Sequence, residues 1–185
     1  VRELIALAKA KPGQLNYASV GQGSPIHLAM ELFKSMTGTN FVHVPYKGAG
    51  PAVTDLLAGQ VQLMFNSMPS VLPHVKTGRL RGLAVGSAQR FRAVPDIPTV
   101  AEAGVPGFEA MTWFGMFAPA GTPKHIINKL NTQIVRILAD PEMAHYLVIQ
   151  GSEARSSTPE ELAKYMRVES ERAKKAIKSA AIKIE

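Results

Sequence analysis

The chain has 185 residues, 46% of them hydrophobic and 19% charged, a composition that excludes disorder and gives enough mass for one large domain or two small ones. It contains no cysteine, which rules out disulfides and thiolate metal sites and suits an oxidising compartment; no apolar run approaches the roughly 18 residues of a membrane span. The net charge is +7 and the pI about 9.8, a balance that fits nucleic acid, anionic lipid or an anionic solute.

Val1–Ala10 reads as an amphipathic helix, without the apolar core and cleavage site of a signal peptide, and Lys11-Pro-Gly13 stops it. Leu15–Ser19 is a predicted strand. A glycine-rich turn follows, then a helix from Pro25 to Thr37-Gly38, where glycine suits the position after the last turn. Phe41–Val44 is a second strand, Pro51–Ala58 a short helix, Val61–Phe65 a third strand, Pro69–Lys76 a helical turn, and Leu80–Val85 a fourth strand. Strands alternating with short helices imply right-handed crossovers and a largely parallel sheet, an α/β fold.

Between Gln89 and Gly107, Pro95, Pro98 and Pro106 mark a surface excursion with one helical turn at Thr99–Ala103. Ala110–Ala118 is an aromatic-rich predicted strand crossing between lobes, with Trp113 and Phe114 as packing residues. The rest is helical. Thr122-Pro123 heads a run with Ile126, Ile127, Leu130, Ile134, Ile137 and Leu138 on one face; Asp140-Pro141 starts a shorter helix ending at Gly151. Thr158-Pro-Glu-Glu161 is a capping box that opens the last helix. Basic residues from Lys164 to Lys183 alternate with acidic ones, and Glu160–Lys164 and Glu171–Lys175 have i,i+4 spacing. That pattern is a solvated helix face, not a nucleic-acid surface.

The stretch Leu15-Asn-Tyr-Ala-Ser-Val-Gly-Gln-Gly-Ser-Pro25 carries the first functional expectation. Ser24 is a good N-cap, Pro25 fits the first helical position, and Gly21 and Gly23 let the backbone approach a ligand closely. A cluster of free N–H groups at the positive end of a helix is expected, suited to a carboxylate or phosphate. Val20–Ser24, Pro45–Gly50 and Asn66–Ser70 each follow a strand's carboxyl end, where open parallel sheets bind ligands. One such loop is read as a tight turn; three in succession favour a cleft. Asn66, Ser67 and Ser70 supply neutral donors, and Tyr46 an apolar wall with a hydroxyl.

His27, in the first turn behind Ser24, is expected to touch the ligand or support the loop. His43, His74, His125 and His145 are read as structural or surface residues. Gly21-x-Gly23 lacks the third glycine of a dinucleotide fingerprint, and Lys47-Gly-Ala-Gly50 lacks the rest of a phosphate-binding loop. Neither a Gly-x-Ser-x-Gly nor a His-Glu-x-x-His motif occurs, and no acid/base pair stands in the strand-end loops, which disfavours an enzyme.

The ordered segments Leu15-Asn-Tyr-Ala-Ser-x-Gly-x-Gly-Ser24 with His27-Leu28, His43-Val-Pro-Tyr-Lys-Gly48, Leu72-Pro-His74, Asp96-Ile-Pro-Thr-Val-Ala-Glu-Ala-Gly104, Pro106-Gly-Phe108, Trp113-Phe-Gly115 and Ala118-Pro-Ala-Gly-Thr-Pro123 run through the whole chain. Together they resemble the extracytoplasmic solute receptors of the tripartite tricarboxylate transporters, the Bordetella-uptake-gene family. The resemblance implies a type II periplasmic-binding-protein fold, two lobes of mainly parallel sheet flanked by helices. Such a receptor closes on a small organic acid in the periplasm and delivers it to a membrane permease, with no cofactor, metal or chemistry of its own. Residues implied to bind the ligand are Ser19, Gly21, Gln22, Gly23, Ser24, His27, Tyr46, Asn66 and Ser67.

Two departures accompany the resemblance. Family receptors have a substantial part before the helix that here starts at Val1. Residues 1–113 therefore read as the second, ligand-binding lobe, and residues 114–185 as a crossover strand and helices returning to an incomplete first lobe. A fragment, or pairing with another copy or a missing N-terminal segment, is expected. Asn66 stands where many relatives have aspartate, which removes a negative charge and favours a more anionic ligand. A ligand-sensing domain that signals to a membrane partner is the alternative on the same fold.

Overall fold

The structure, a computed structural model, describes residues 1–179, apart from the side chains of Lys175, Ala176 and Ser179. The expected Glu171–Lys175 pair and Lys183 lie outside the described residues.

The centre is a parallel sheet in which β1 (Asn16–Ser19) lies between β2 (Val42–Pro45) and β3 (Leu63–Met64). Ser19 pairs with Pro45 and Ala18 with Met64, so all three strands end at nearly the same level. The path from β1 to β2 runs one way across the sheet, and the path from β2 to β3 runs back past β1. Crossovers of one hand in opposite directions put their helices on opposite faces. The packing agrees: α2 (Pro25–Thr37) sends Met30 and Phe33 against Tyr17, whereas α3 (Ala49–Leu57) sets Ala52 against Ala18. Tyr17 and Ala18 are neighbours on one strand, point to opposite faces, and are both fully buried.

The face under α2 holds the larger core. Ala8 of α1 (Arg2–Ala10), Tyr17, Met30, Phe33, Phe41, Val100, Val105 and Phe108 form one cluster. Phe33 meets Phe108 and Phe65 edge-on at centroid distances of 6.2 Å, and Phe65 stacks on Phe108 at 5.5 Å. Burying each such ring contributes about 1.5–3 kcal/mol. α2 starts and stops where its sequence signals stand. The Ser24 hydroxyl accepts from the His27 N–H, Pro25 occupies the first turn, and Gly38 ends the helix in the left-handed region at φ 62°. The last element of this part, α4 (Met68–Lys76), follows β3.

Two predicted strands are absent from the described residues. Leu80–Val85 joins no ladder: the Val85 N–H donates to Pro98 and its carbonyl accepts from Val100, leaving one parallel bridge to Thr99. Hydrogen bonds to the loop at 98–100 have taken the place of a fourth rung. Thr99 and Glu102 exchange N–H bonds with each other's side chains, which fixes the expected single turn. Ala110–Ala118 is irregular, and Phe114, read as a packing residue, is 77% exposed. Trp113 does pack, edge-on against Tyr165 at 5.4 Å.

The chain divides into two compact units, Val1–Thr112 with the residues from Ala173 onward, and Trp113–Arg172. The second contains α5 (Lys124–Leu138), α6 (Pro141–Ile149) and most of α7 (Pro159–Ser179). Asp140 caps α6 through Glu142 N–H, and Thr158 and Glu161 form the expected box at the head of α7. Thr122 is not the cap of α5; Pro123 holds that place, and the Thr122 hydroxyl donates to Pro119. No residue of α5 or α6 is buried, and Leu130 and Ile137 on the apolar stripe are about half exposed.

Candidate functional site

Because β1, β2 and β3 end together, the loops at 20–24, 46–48 and 65–67 leave one edge of the sheet side by side. The first enters α2 on one face and the second enters α3 on the other. This divergence at the carboxyl edge is the place where open α/β sheets form a crevice. The two loops touch: the Tyr46 N–H donates to the Ser19 carbonyl at 3.0 Å, and a side chain on Gly21 would meet the Tyr46 carbonyl. Gly21 and Gly23, at φ 135° and 71°, adopt backbone that side-chain-bearing residues avoid.

The expectation of free amides is corrected here. Gly21 N–H donates to the Ser19 hydroxyl at 3.2 Å, and Gly23 N–H to His27 Nδ1 at 3.0 Å. Ser24 N–H donates to the Gly21 carbonyl and His27 N–H to the Ser24 hydroxyl, both at 3.3 Å. The Ser24 hydroxyl in turn donates to the Gly21 carbonyl at 2.7 Å. A loop with an unusual backbone needs its polar groups paired, and side chains from β1 and α2 pair them.

Beneath the loop lies a polar network that the sequence reading did not assemble. Tyr17, His43 and His27 stack as three nearly parallel rings, with centroids 4.8 Å apart for Tyr17–His43 and 4.0 Å for His43–His27. His43 Nε2 lies 2.6 Å from the buried Ser19 hydroxyl. Glu31 ties the network to α2, accepting from the Tyr17 hydroxyl at 2.6 Å and from Lys34 at 2.7 Å, with His27 Nε2 3.8 Å away. Burial lowers the His27 pKa, opposed by Glu31 and assisted by Lys34. Burial, with His27 beside it, brings His43 down to about 4. Both rings are therefore neutral at neutral pH. Burial alone would raise the Glu31 pKa, but the bonds from Lys34 and Tyr17 outweigh it and hold the carboxyl below its usual value. Tyr17 is raised by burial and by its bond to that carboxylate.

The remaining residues of the expected set fall on the same edge. Tyr46 lies against the Ala18–Ala52–Val61 cluster, and its hydroxyl donates to Asp55 at 2.7 Å, a bond that raises its pKa. Asn66 accepts from the Ser67 N–H at 2.8 Å and turns its amide nitrogen to the Met64 sulfur. Ser67 and Ser70 share a hydroxyl bond at 3.0 Å, which leaves one hydroxyl proton uncommitted. Gln22 is exposed at the loop's tip. His43, Tyr17 and Glu31 were missed. Their signal was register, since Tyr17 pairs with His43 and side chains of paired strand residues share a face. His125 and His145 lie exposed on α5 and α6. Among the described residues no three His, Asp or Glu stand together as metal ligands. An open groove of about 560 Å³ in the second unit, lined by Arg136, Asp140 and Tyr146, contains none of the residues above.

Known proteins agree in family and fold. A family model described as "Tripartite tricarboxylate transporter family receptor" matches residues 1–182. Protein BugT of Bordetella pertussis is 42% identical over 158 residues, 85% of this chain and 48% of BugT. The structure of R. palustris Rpa4515 with adipate superposes with a TM-score of 0.95 at 38% identity, covering 98% of this chain and 61% of that one. The periplasmic binding protein BugD does so with a TM-score of 0.89 at 32% identity, covering 100% and 62%. The chain thus spans about half the length of the first curated relatives and about three fifths of these solved structures. A parallel sheet sandwiched between helices, a glycine loop leading into α2, and this likeness over nearly the whole chain place it in the periplasmic binding-protein fold, and the chain belongs to the tripartite tricarboxylate transporter receptor family.

Proposed function

We propose that the protein containing this chain is a periplasmic receptor that binds a small dicarboxylate and passes it to a membrane permease, without transforming it. The observation that carries this reading is the convergence of three strand-end loops beside the positive end of α2, at an edge rich in neutral donors. Residues 20–24, 46–50 and 66–70 include no acid and one base, Lys47, so an anion meets no fixed negative charge in these loops. The ligand set is Ser19, Gly21, Gln22, Gly23, Ser24, His27, Tyr46, Asn66 and Ser67. Of these, Ser19 and His27 act mainly by shaping the loop, since both are buried. The second amide N–H of Asn66 and the one uncommitted proton of the Ser67–Ser70 pair are the donors offered to the ligand, while the Ser24 hydroxyl already donates to the Gly21 carbonyl. Residues 1–113 form the ligand-binding lobe in this reading, and residues 114–185 return to the other lobe.

The adipate held by Rpa4515 supports a dicarboxylate, and neutral Asn66 supports a doubly charged ligand. Thermal unfolding of the intact protein with adipate, shorter dicarboxylates, monocarboxylates and amines tests the proposal. A dicarboxylate at a hundred times its Kd stabilises by about 2.7 kcal/mol. Equal melting temperatures across all the acids would overturn it.

A further inference from the structure

We propose that His27 and His43 are positioning residues for the carboxylate site, each holding one glycine of the 20–24 loop, and that protonation of His27 releases Gly23 and weakens ligand binding. The inference rests on the receptor reading and adds a proton-sensitive element to it. His27 Nδ1 accepts the Gly23 N–H at 3.0 Å, so that nitrogen must keep its lone pair and the ring's proton must sit on Nε2. A proton added at Nδ1 turns the acceptor into a second donor facing an N–H, and the bond is lost. His43 acts through Ser19. Its Nε2 lies 2.6 Å from the hydroxyl that accepts the Gly21 N–H.

Burial is the largest influence on the two rings and favours their neutral form; Lys34 acts in the same direction and the Glu31 carboxylate against it. The rings lie 4.0 Å apart and within 7° of parallel, so a charge on one opposes a charge on the other. Tyr17 of β1 covers the other side of His43, and the nearby charges are Glu31 and Lys34 of α2. Glu31 Oε1 accepts from both Tyr17 and Lys34, and its 3.8 Å separation from His27 Nε2 is too long for a hydrogen bond. His27 is 5% exposed, so water does not solvate an imidazolium there. Acidification below pH 6.5 is therefore the range in which the loop is released.

The test is calorimetric titration of the intact protein with adipate between pH 7.5 and 4.5, in wild type, His27→Ala, His27→Asn and His43→Gln. Asparagine places a non-titrating oxygen near Nδ1, and glutamine places an amide near Nε2. At pH 7.5 the alanine variant binds about fivefold more weakly, while the asparagine and glutamine variants retain most of the affinity. On acidification wild type loses about fivefold more than His27→Asn, a comparison from which adipate's own protonation cancels. Parallel pH profiles for those two proteins, or wild-type affinity in His27→Ala, would overturn the proposal. The ligand-free amide NMR signals of Gly21 and Gly23, followed against the imidazole signals, read the same coupling without adipate. A protein that binds neither adipate nor the shorter dicarboxylates while its Gly23 amide follows His27 contradicts the receptor reading and leaves the loop coupling supported. A Gly23 amide indifferent to His27 contradicts the coupling.

Discussion

Ser19→Ala is the sharpest perturbation of the edge. The Ser19 side chain is fully buried, and its one oxygen meets His43 Nε2 at 2.6 Å, the Gly21 N–H at 3.2 Å and the Gly21 carbonyl at 3.1 Å. Alanine removes a single atom, opens no large cavity, and strands the imidazole nitrogen and the glycine amide together. Each orphaned group costs about 1 kcal/mol or more when water cannot reach it freely, for a total of about 2 kcal/mol. Over about 150–250 residues that corresponds to a fall in melting temperature of about 4–8 °C, and to a smaller one in a longer protein. Circular dichroism of the intact protein on heating, without ligand, reads the change directly. A loss under about 0.5 kcal/mol, the range of ordinary surface substitutions, would refute the claim that this hydroxyl organises the loop.

Three further outcomes follow from the same geometry. Tyr17→Phe keeps the ring stack but removes the 2.6 Å bond to Glu31, and destabilises by about 1.5 kcal/mol; in a Glu31→Gln background urea titrations show a smaller loss, and equal losses would contradict the coupling. For pH, His43 is depressed from 6.5 to about 4 in the folded protein, so the unfolded chain takes the proton first and stability falls from pH 6.5 toward 4 by up to about 3 kcal/mol. His27 adds loss in the same direction, and urea midpoints that stay level over that interval would contradict it. Gly38→Ala meets no atom within 4 Å but keeps a left-handed φ of 62°, so calorimetric unfolding records a loss of about 1 kcal/mol from backbone strain alone.

Many of the helix boundaries were legible because their signals are local. Ser24-Pro25 and Gly38 bracket α2, Asp140-Pro141 opens α6, and Thr158 with Glu161 opens α7. The β-α alternation also gave the parallel sheet. Leu80–Val85 misled because its apolar run is strand-like, while the partner of Val85 is set by Thr99, a contact no periodicity encodes. The amides of the glycine loop misled for a related reason. Their partners include Ser19, which ends β1, and His27, four residues beyond Gly23, and only the folded loop brings them together. His43 was invisible as part of the site because its strand neighbours are apolar and its role depends on pairing with Tyr17 across β1. The α5 stripe was legible as apolar, yet within its own unit it remains about half exposed.

The central claim is that a carboxylate is held at the carboxyl edge of β1, β2 and β3. A crystal structure of the intact protein grown with adipate tests it most directly. The account predicts one carboxylate group against the 20–24 loop, within hydrogen-bond distance of the Asn66–Ser70 segment. Adipate bound elsewhere, for example in the groove beside Arg136 and Tyr146, with this edge left to the protein's own bonds, would contradict it.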